Sequence, residues 1–305
     1  MTTDRQMIEI ASDQLSAAIN PYGAELTHLR DAQGRALMTD ADPAFWTGHA
    51  PILFPVIGVT NGSRIRIGDR DYPMAKHGFA RHSLFDVVQA EPGRAVFELT
   101  DSDETRASYP FAFRLEIGFR IDGPTLTVEA RIENRDAGYL PAQFGFHPAF
   151  AWPLPYGEPR GAHRITFERD EPGELRTIAP DGLIAAGRRA SPLSGPLAAR
   201  RELLLADALF ANDALVWDPI HSQSVTYGAA QGPVLEVRFP DTPRLGVWTK
   251  PALPDGEGPH FVCIEPWHGI ADPEGFTGVF TEKPGVFEIA PGDEKRMGWS
   301  VTLRG

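Results

Sequence analysis

The chain has 305 residues, a formal net charge of −12, 42% hydrophobic residues and one cysteine. That length can bury a large core, the negative balance disfavours nucleic acid and anionic membrane as partners, and a lone thiol excludes an intrachain disulfide or a thiolate metal cluster. No signal-like apolar core follows Met1, and no apolar run is long enough to span a bilayer, so a soluble cytoplasmic protein is expected.

In chain order, the first distinctive segments are Asn20-Pro21-Tyr22-Gly23-Ala24-Glu25-Leu26 and Pro51-Ile52-Leu53-Phe54-Pro55-Val56-Ile57-Gly58. The glycines near Gly58 and Gly62 precede no helix, which argues against a phosphate loop. Arg64, Arg66 and Arg70 follow; Arg64 and Arg66 share one strand face, which fits a solvated surface. Next comes Lys76-His77-Gly78-Phe79-Ala80-Arg81. Here Gly78 lets backbone approach a ligand, and Arg81, placed near a strand end, offers a fork of donors. Asp103 to Ser108 is predicted as a short helix, stopped by Tyr109 before Pro110.

Period-two patterning then dominates. Phe111, Phe113, Leu115, Ile117, Phe119 and Ile121 alternate with mostly polar residues, and Leu126, Val128, Ala130 and Ile132 do the same beyond an Asp122-Gly123 turn. The two runs predict a hairpin over a shared core. The pattern returns at Leu235, Val237 and Phe239, and at Met297, Trp299, Val301 and Leu303. Pro153 to Arg164 and Ala185 to Arg201 are expected to be loops, with a second short helix over Leu197 to Leu205. With 30 Gly and 28 Pro as turn punctuation, no linker and no fixed-period repeat, the expectation is an all-β antiparallel sandwich in a single domain over residues 1–305.

Two runs carry chemistry. Gln143-Phe144-Gly145-Phe146-His147-Pro148 and Cys263-Ile264-Glu265-Pro266-Trp267-His268-Gly269 each set one proton-transfer group among aromatic residues, a general acid and a general base for a neutral polyol. Asp213, at the entry to Ala214-Leu215-Val216, is a candidate acceptor for sugar hydroxyls. Trp248 and Trp267 offer flat faces for a pyranose. Cys263, between Val262 and Ile264, is read as a small buried hydrophobe. A metal at Glu265 and His268 would need a helix that Pro266 forbids, so neither metal nor cofactor is expected.

In this order, together with Leu245-Gly246-Val247-Trp248-Thr249-Lys250-Pro251, these segments resemble the aldose 1-epimerase (mutarotase) family, in the branch of the lactose-operon mutarotase-like proteins. The resemblance implies the galactose mutarotase-like β-supersandwich and a cofactor-independent isomerase that interconverts the α and β anomers of a hexose. It assigns His147 as acid toward the ring oxygen and Glu265 as base toward the C1 hydroxyl, with His77, Arg81, Asp213 and Trp267 binding the sugar. A negative charge on Glu265 is expected to hold His147 as imidazolium while Glu265 stays ionised.

The chain departs from its relatives at Val59, where many carry a basic residue, with Arg64 the candidate replacement, and in the long stretch 252–258. Val59 and the acidic balance favour neutral aldoses. The rival readings are a hexose-6-phosphate 1-epimerase and a carbohydrate-binding protein without turnover. Oligomeric state is not legible.

Overall fold

A computed structural model describes residues 6–193, 201–253, 256 and 258–305. The hairpin forms as expected: Phe113–Asp122 pairs with Thr125–Asn134, Ile121 opposite Leu126 and Phe119 opposite Val128. Phe113, Leu115, Ile117, Phe119 and Ile121 are buried on one side of their strand, and Leu126, Val128, Ala130 and Ile132 on the same side of its partner. Phe111 falls before the strand and is only partly buried.

This hairpin lies inside a nine-stranded sheet. Its order is Glu202–Leu204, Arg164–Phe167, Ser224–Gly228, Val234–Arg238, Glu294–Arg304, Thr125–Asn134, Phe113–Asp122, Arg94–Thr100 and Asp86–Glu91. A second sheet runs Ile184–Ala190, Glu174–Ile178, Leu215–Trp217, Arg244–Trp248, Phe261–His268, Phe144–Phe146 and Ile52–Leu53, with Ala149–Ala151 also paired to Phe261–His268. Neighbouring strands in both are antiparallel. The inner faces share one core, joined by Phe167 on Trp217 (ring centroids 4.9 Å apart) and by Phe146 and Phe150 on Trp299. The result is an all-β antiparallel sandwich.

Asp103–Arg106 is the helix expected there, capped by Ser102 and Thr105, which exchange side-chain and backbone hydrogen bonds. Two expectations fail. Ile184–Ala190, placed in a loop by its Gly and Arg content, is an edge strand on Glu174–Ile178. Its exposed residues need no apolar alternation because the backbone ladder, the buried Ile184 at its start and the Arg189 guanidinium, donating to the Ala214 carbonyl at 2.7 Å, hold it. The helix over Leu197 to Leu205 is also wrong where it is described: Glu202–Leu204 is an edge strand on Arg164–Phe167, and residues 197–200 lie outside the described set. Among the described residues no helix is long and apolar enough to cross a membrane.

Candidate active site

Strand Phe261–His268 separates two environments by its pleat. Val262 and Ile264 enter the main core, whereas Cys263, Glu265 and Trp267 face away from it. Gly246 stands opposite Glu265, and Gly145 opposite Trp267. A Cβ at either glycine would come within 2.8 Å of the Trp267 indole, so the two glycines form the seat on which that ring lies flat.

His147 meets Glu265 by register. Gly145 pairs with Trp267 two residues before it, and Ala149 with Cys263 two residues after, so His147 falls opposite Glu265 on the neighbouring strand line. Its Nε2 lies 3.1 Å from Glu265 Oε2, at ion-pair distance but without hydrogen-bond alignment. Two segments more than a hundred residues apart thus converge, as expected.

The remaining expected residues come to the same cleft, an opening of about 480 Å³, within the range of small-ligand sites. His77 is buried and sits in a left-handed turn, φ 67°. Gly78 beside it is required, because a Cβ there would collide with the Phe54 carbonyl. The Gly58 N–H donates to His77 Nδ1 at 3.1 Å, so the imidazole is neutral and carries its proton on Nε2. Burial, then the charges of His147, Lys76 and Arg81, depress its pKa well below the usual value.

Arg81 lies in the short 3-10 turn Ala80–His82 rather than at a strand end. It lines the cleft and donates from Nε to His82 Nε2 at 3.0 Å. Asp213 is exposed, with φ 68°, and accepts the Ala214 N–H at 2.7 Å. Trp267 and Trp248 both line the opening. Arg64 does not replace the missing basic residue after Gly58: it pairs with Asp71 at 3.4 Å on the hairpin Arg64–Ile67 and Arg70–Pro73, outside the cleft.

Sequence reasoning missed three lining residues. Lys76 and Lys250 bring positive charge, and Trp46 stacks on the His147 ring at 5.1 Å and 32°. Nothing in the aperiodic stretch around Trp46 marks it. Lys76 and Lys250 stand inside the motif segments quoted above without a role assigned to either.

Burial reverses the expected charge states. Desolvation, reinforced by Arg81 and Lys76 and opposed by its own backbone, lowers the His147 pKa to about 3. Desolvation and then Asp213 raise Glu265 well above the carboxylate range, against Lys76 and the Trp267 indole. A neutral imidazole beside a protonated carboxyl holds the same single proton as imidazolium beside carboxylate. The low-dielectric cleft favours the uncharged arrangement.

Strand geometry puts Glu265 and His268 on opposite faces, so those two cannot share a metal ion. His147, Cys263 and Glu265 offer ligand atoms within 4.8 Å of one another, the one such triple among the described residues. Burial, followed by Glu265, raises the Cys263 thiol well above its ordinary pKa.

A large antiparallel sandwich that keeps its polar groups on the outer face of one sheet is a galactose mutarotase-like fold. The chain belongs to the aldose 1-epimerase family, whose model matches residues 6–275. It is 27% identical over 304 residues to the chromosomal LacX protein of Lactococcus lactis subsp. lactis, covering 97% of this chain and 99% of that one. A galactose mutarotase related enzyme from Lactobacillus acidophilus shares 27% identity at a TM-score of 0.88 over 98% of each chain. A galactose mutarotase-like protein from Lactobacillus casei matches equally well, over 98% of this chain and all of its own.

Proposed function

We propose that this protein is an aldose 1-epimerase, interconverting the α and β anomers of a hexose in the cytoplasm without metal or cofactor. The observation that carries this reading is the opposition of His147 and Glu265 at 3.1 Å in the open cleft. Opening a hemiacetal requires one proton delivered to the ring oxygen and one removed from the C1 hydroxyl. A pair holding a single proton does both. In the reactive form Glu265 has passed that proton to His147; His147 then protonates the ring oxygen while Glu265 accepts the hydroxyl proton, which returns the pair to its uncharged form with the proton on Glu265. Reclosure on the other aldehyde face runs the transfers backwards. His77 donates from Nε2, and Arg81, Asp213 and Trp267 hold the sugar.

A second reading, an aldose 6-phosphate as substrate, is favoured by Lys76, Arg81 and Lys250, which line the cleft with no ion-pair partner among the described residues. The test is mutarotation by polarimetry or NMR over a panel of aldoses and their 6-phosphates. Binding without turnover across the panel would replace both readings with a carbohydrate-binding protein.

A further inference from the structure

Histidines that move protons are usually aimed by a hydrogen bond from the second ring nitrogen. His147 lacks that device. Its Nδ1 is buried and meets only its own main chain, with no aligned hydrogen-bond partner from another residue, although Nε2 must point at Glu265 and the cleft. Packing is left to fix the ring, and three rings touch it: Trp46 at 5.1 Å and 32°, Trp248 at 5.8 Å and 80°, and His77 at 5.9 Å and 88°. Only the first presents its face to the imidazole, tilted by 32°; the other two meet it edge-on.

Trp46 belongs to neither sheet. Its segment is nonetheless tied down at both ends. The Asp42 carbonyl accepts the Phe45 and Trp46 N–H groups, each at 2.9 Å. The Glu25 carboxylate accepts from His49 at 2.7 Å and Ala50 at 3.0 Å. Gly48 leaves the space the indole occupies, since a Cβ there would collide with it. Phe261 and Trp248 back the indole at 5.4 and 5.6 Å.

We propose that Trp46 is a positioning residue for His147, fixing the imidazole plane and screening Nδ1 from water in place of the missing hydrogen bond. The proposal rests on His147 acting as the proton donor. The charged and titratable groups around the imidazole are Glu265 and Cys263 from one strand, and Lys76, His77 and Arg81 from the turn below. Trp46 contributes no charge, so its removal changes hydration and orientation alone.

The experiment compares Trp46→Ala, Trp46→Leu and Trp46→Phe by 15N NMR titration of the His147 ring, assigned with His147→Gln, and by kcat and KM for the best aldose. In the alanine variant the His147 pKa should rise by at least about one unit toward its ordinary value. Its kcat should fall roughly tenfold or more, with KM changed less than about threefold. Phe, which keeps a flat face, should restore both readouts; Leu, which keeps only bulk, should restore neither fully. If alanine does not fold, the contrast between Phe and Leu decides. An unchanged His147 titration in the variants overturns the proposal, as does a Phe variant no better than Leu. Should the wild type turn over no aldose, the NMR comparison still decides on the packing while the epimerase reading fails separately.

Discussion

At the scale of single residues, the meeting of His147 and Glu265 was legible because each sits in a short, unusual run, whereas their charge states were not. Burial is a property of the folded cleft, and it outweighs the expected mutual attraction. Exchanging Glu265→Gln or His147→Gln keeps shape while removing a proton-transfer group, and turnover should fall by ~100-fold or more with sugar binding largely kept. Near-normal mutarotation by both variants, freed of host enzyme, would remove His147 and Glu265 from the acid and base roles. The one-proton pair also predicts a pH profile. Gaining a second proton requires acid near the lowered His147 pKa of about 3, and losing the first requires passing the raised Glu265 pKa. The acid limb of kcat/KM should therefore lie near pH 3, and an acid limb centred near an ordinary histidine's value of about 6.5 would contradict it. Stability carries the same signature. Because the folded-state pKa of Glu265 is raised, the folded protein binds more protons than the unfolded chain above the ordinary carboxylate range, and stability drops as pH rises through that window. Thermal melts of Glu265→Gln should therefore gain on wild type as pH rises above the ordinary carboxylate range, a gain absent if Glu265 is ionised in the fold.

At the scale of elements, strands with one buried face announced themselves, as the Phe113–Asp122 and Thr125–Asn134 hairpin shows. Edge strands did not. Ile184–Ala190 and Glu202–Leu204 are specified by backbone pairing more than by side-chain pattern, so their composition mimicked loop or helix. The cleft wall is another element hidden from sequence. Asp272 bonds Asn61 through Oδ2 at 2.8 Å, Val59 and Ile184 through its backbone, and Lys283 through Oδ1 at 2.8 Å. One buried ion pair thereby joins three segments beside Gly58 and Ala271. Burial lowers the Lys283 pKa, and Asp272 opposes the shift. Removing one partner, as in Lys283→Met, should cost about 3–5 kcal/mol in urea unfolding, while Lys283→Met combined with Asp272→Asn should recover part of the loss. A single variant as stable as wild type would show the pair to be expendable.

At the scale of the whole molecule, net charge is a poor guide to the cleft. A charge of −12 argued for neutral sugars, yet folding gathers Lys76, Arg81 and Lys250 around the opening. Neutral aldoses should give a kcat/KM that changes little between about 20 and 300 mM salt, since their encounter is not steered by charge. A tenfold or greater preference for the 6-phosphate, weakened by salt and lost in Lys76→Ala or Lys250→Ala, would move the substrate class to phosphates.

The strand order also bears on how the protein is made. Glu294–Arg304 lies in the interior of the nine-stranded sheet, between Val234–Arg238 and Thr125–Asn134, and the Thr125 and Thr302 hydroxyls that bond across that seam are 177 residues apart in the chain. A ribosome delivers residues in order, so the hairpin of the middle strands emerges with an open, apolar-backed edge and waits for its neighbour until synthesis has passed residue 304. Closure of the sheet is thus a late event, and nascent chains arrested before Glu294 should stay protease-sensitive and bound to chaperones.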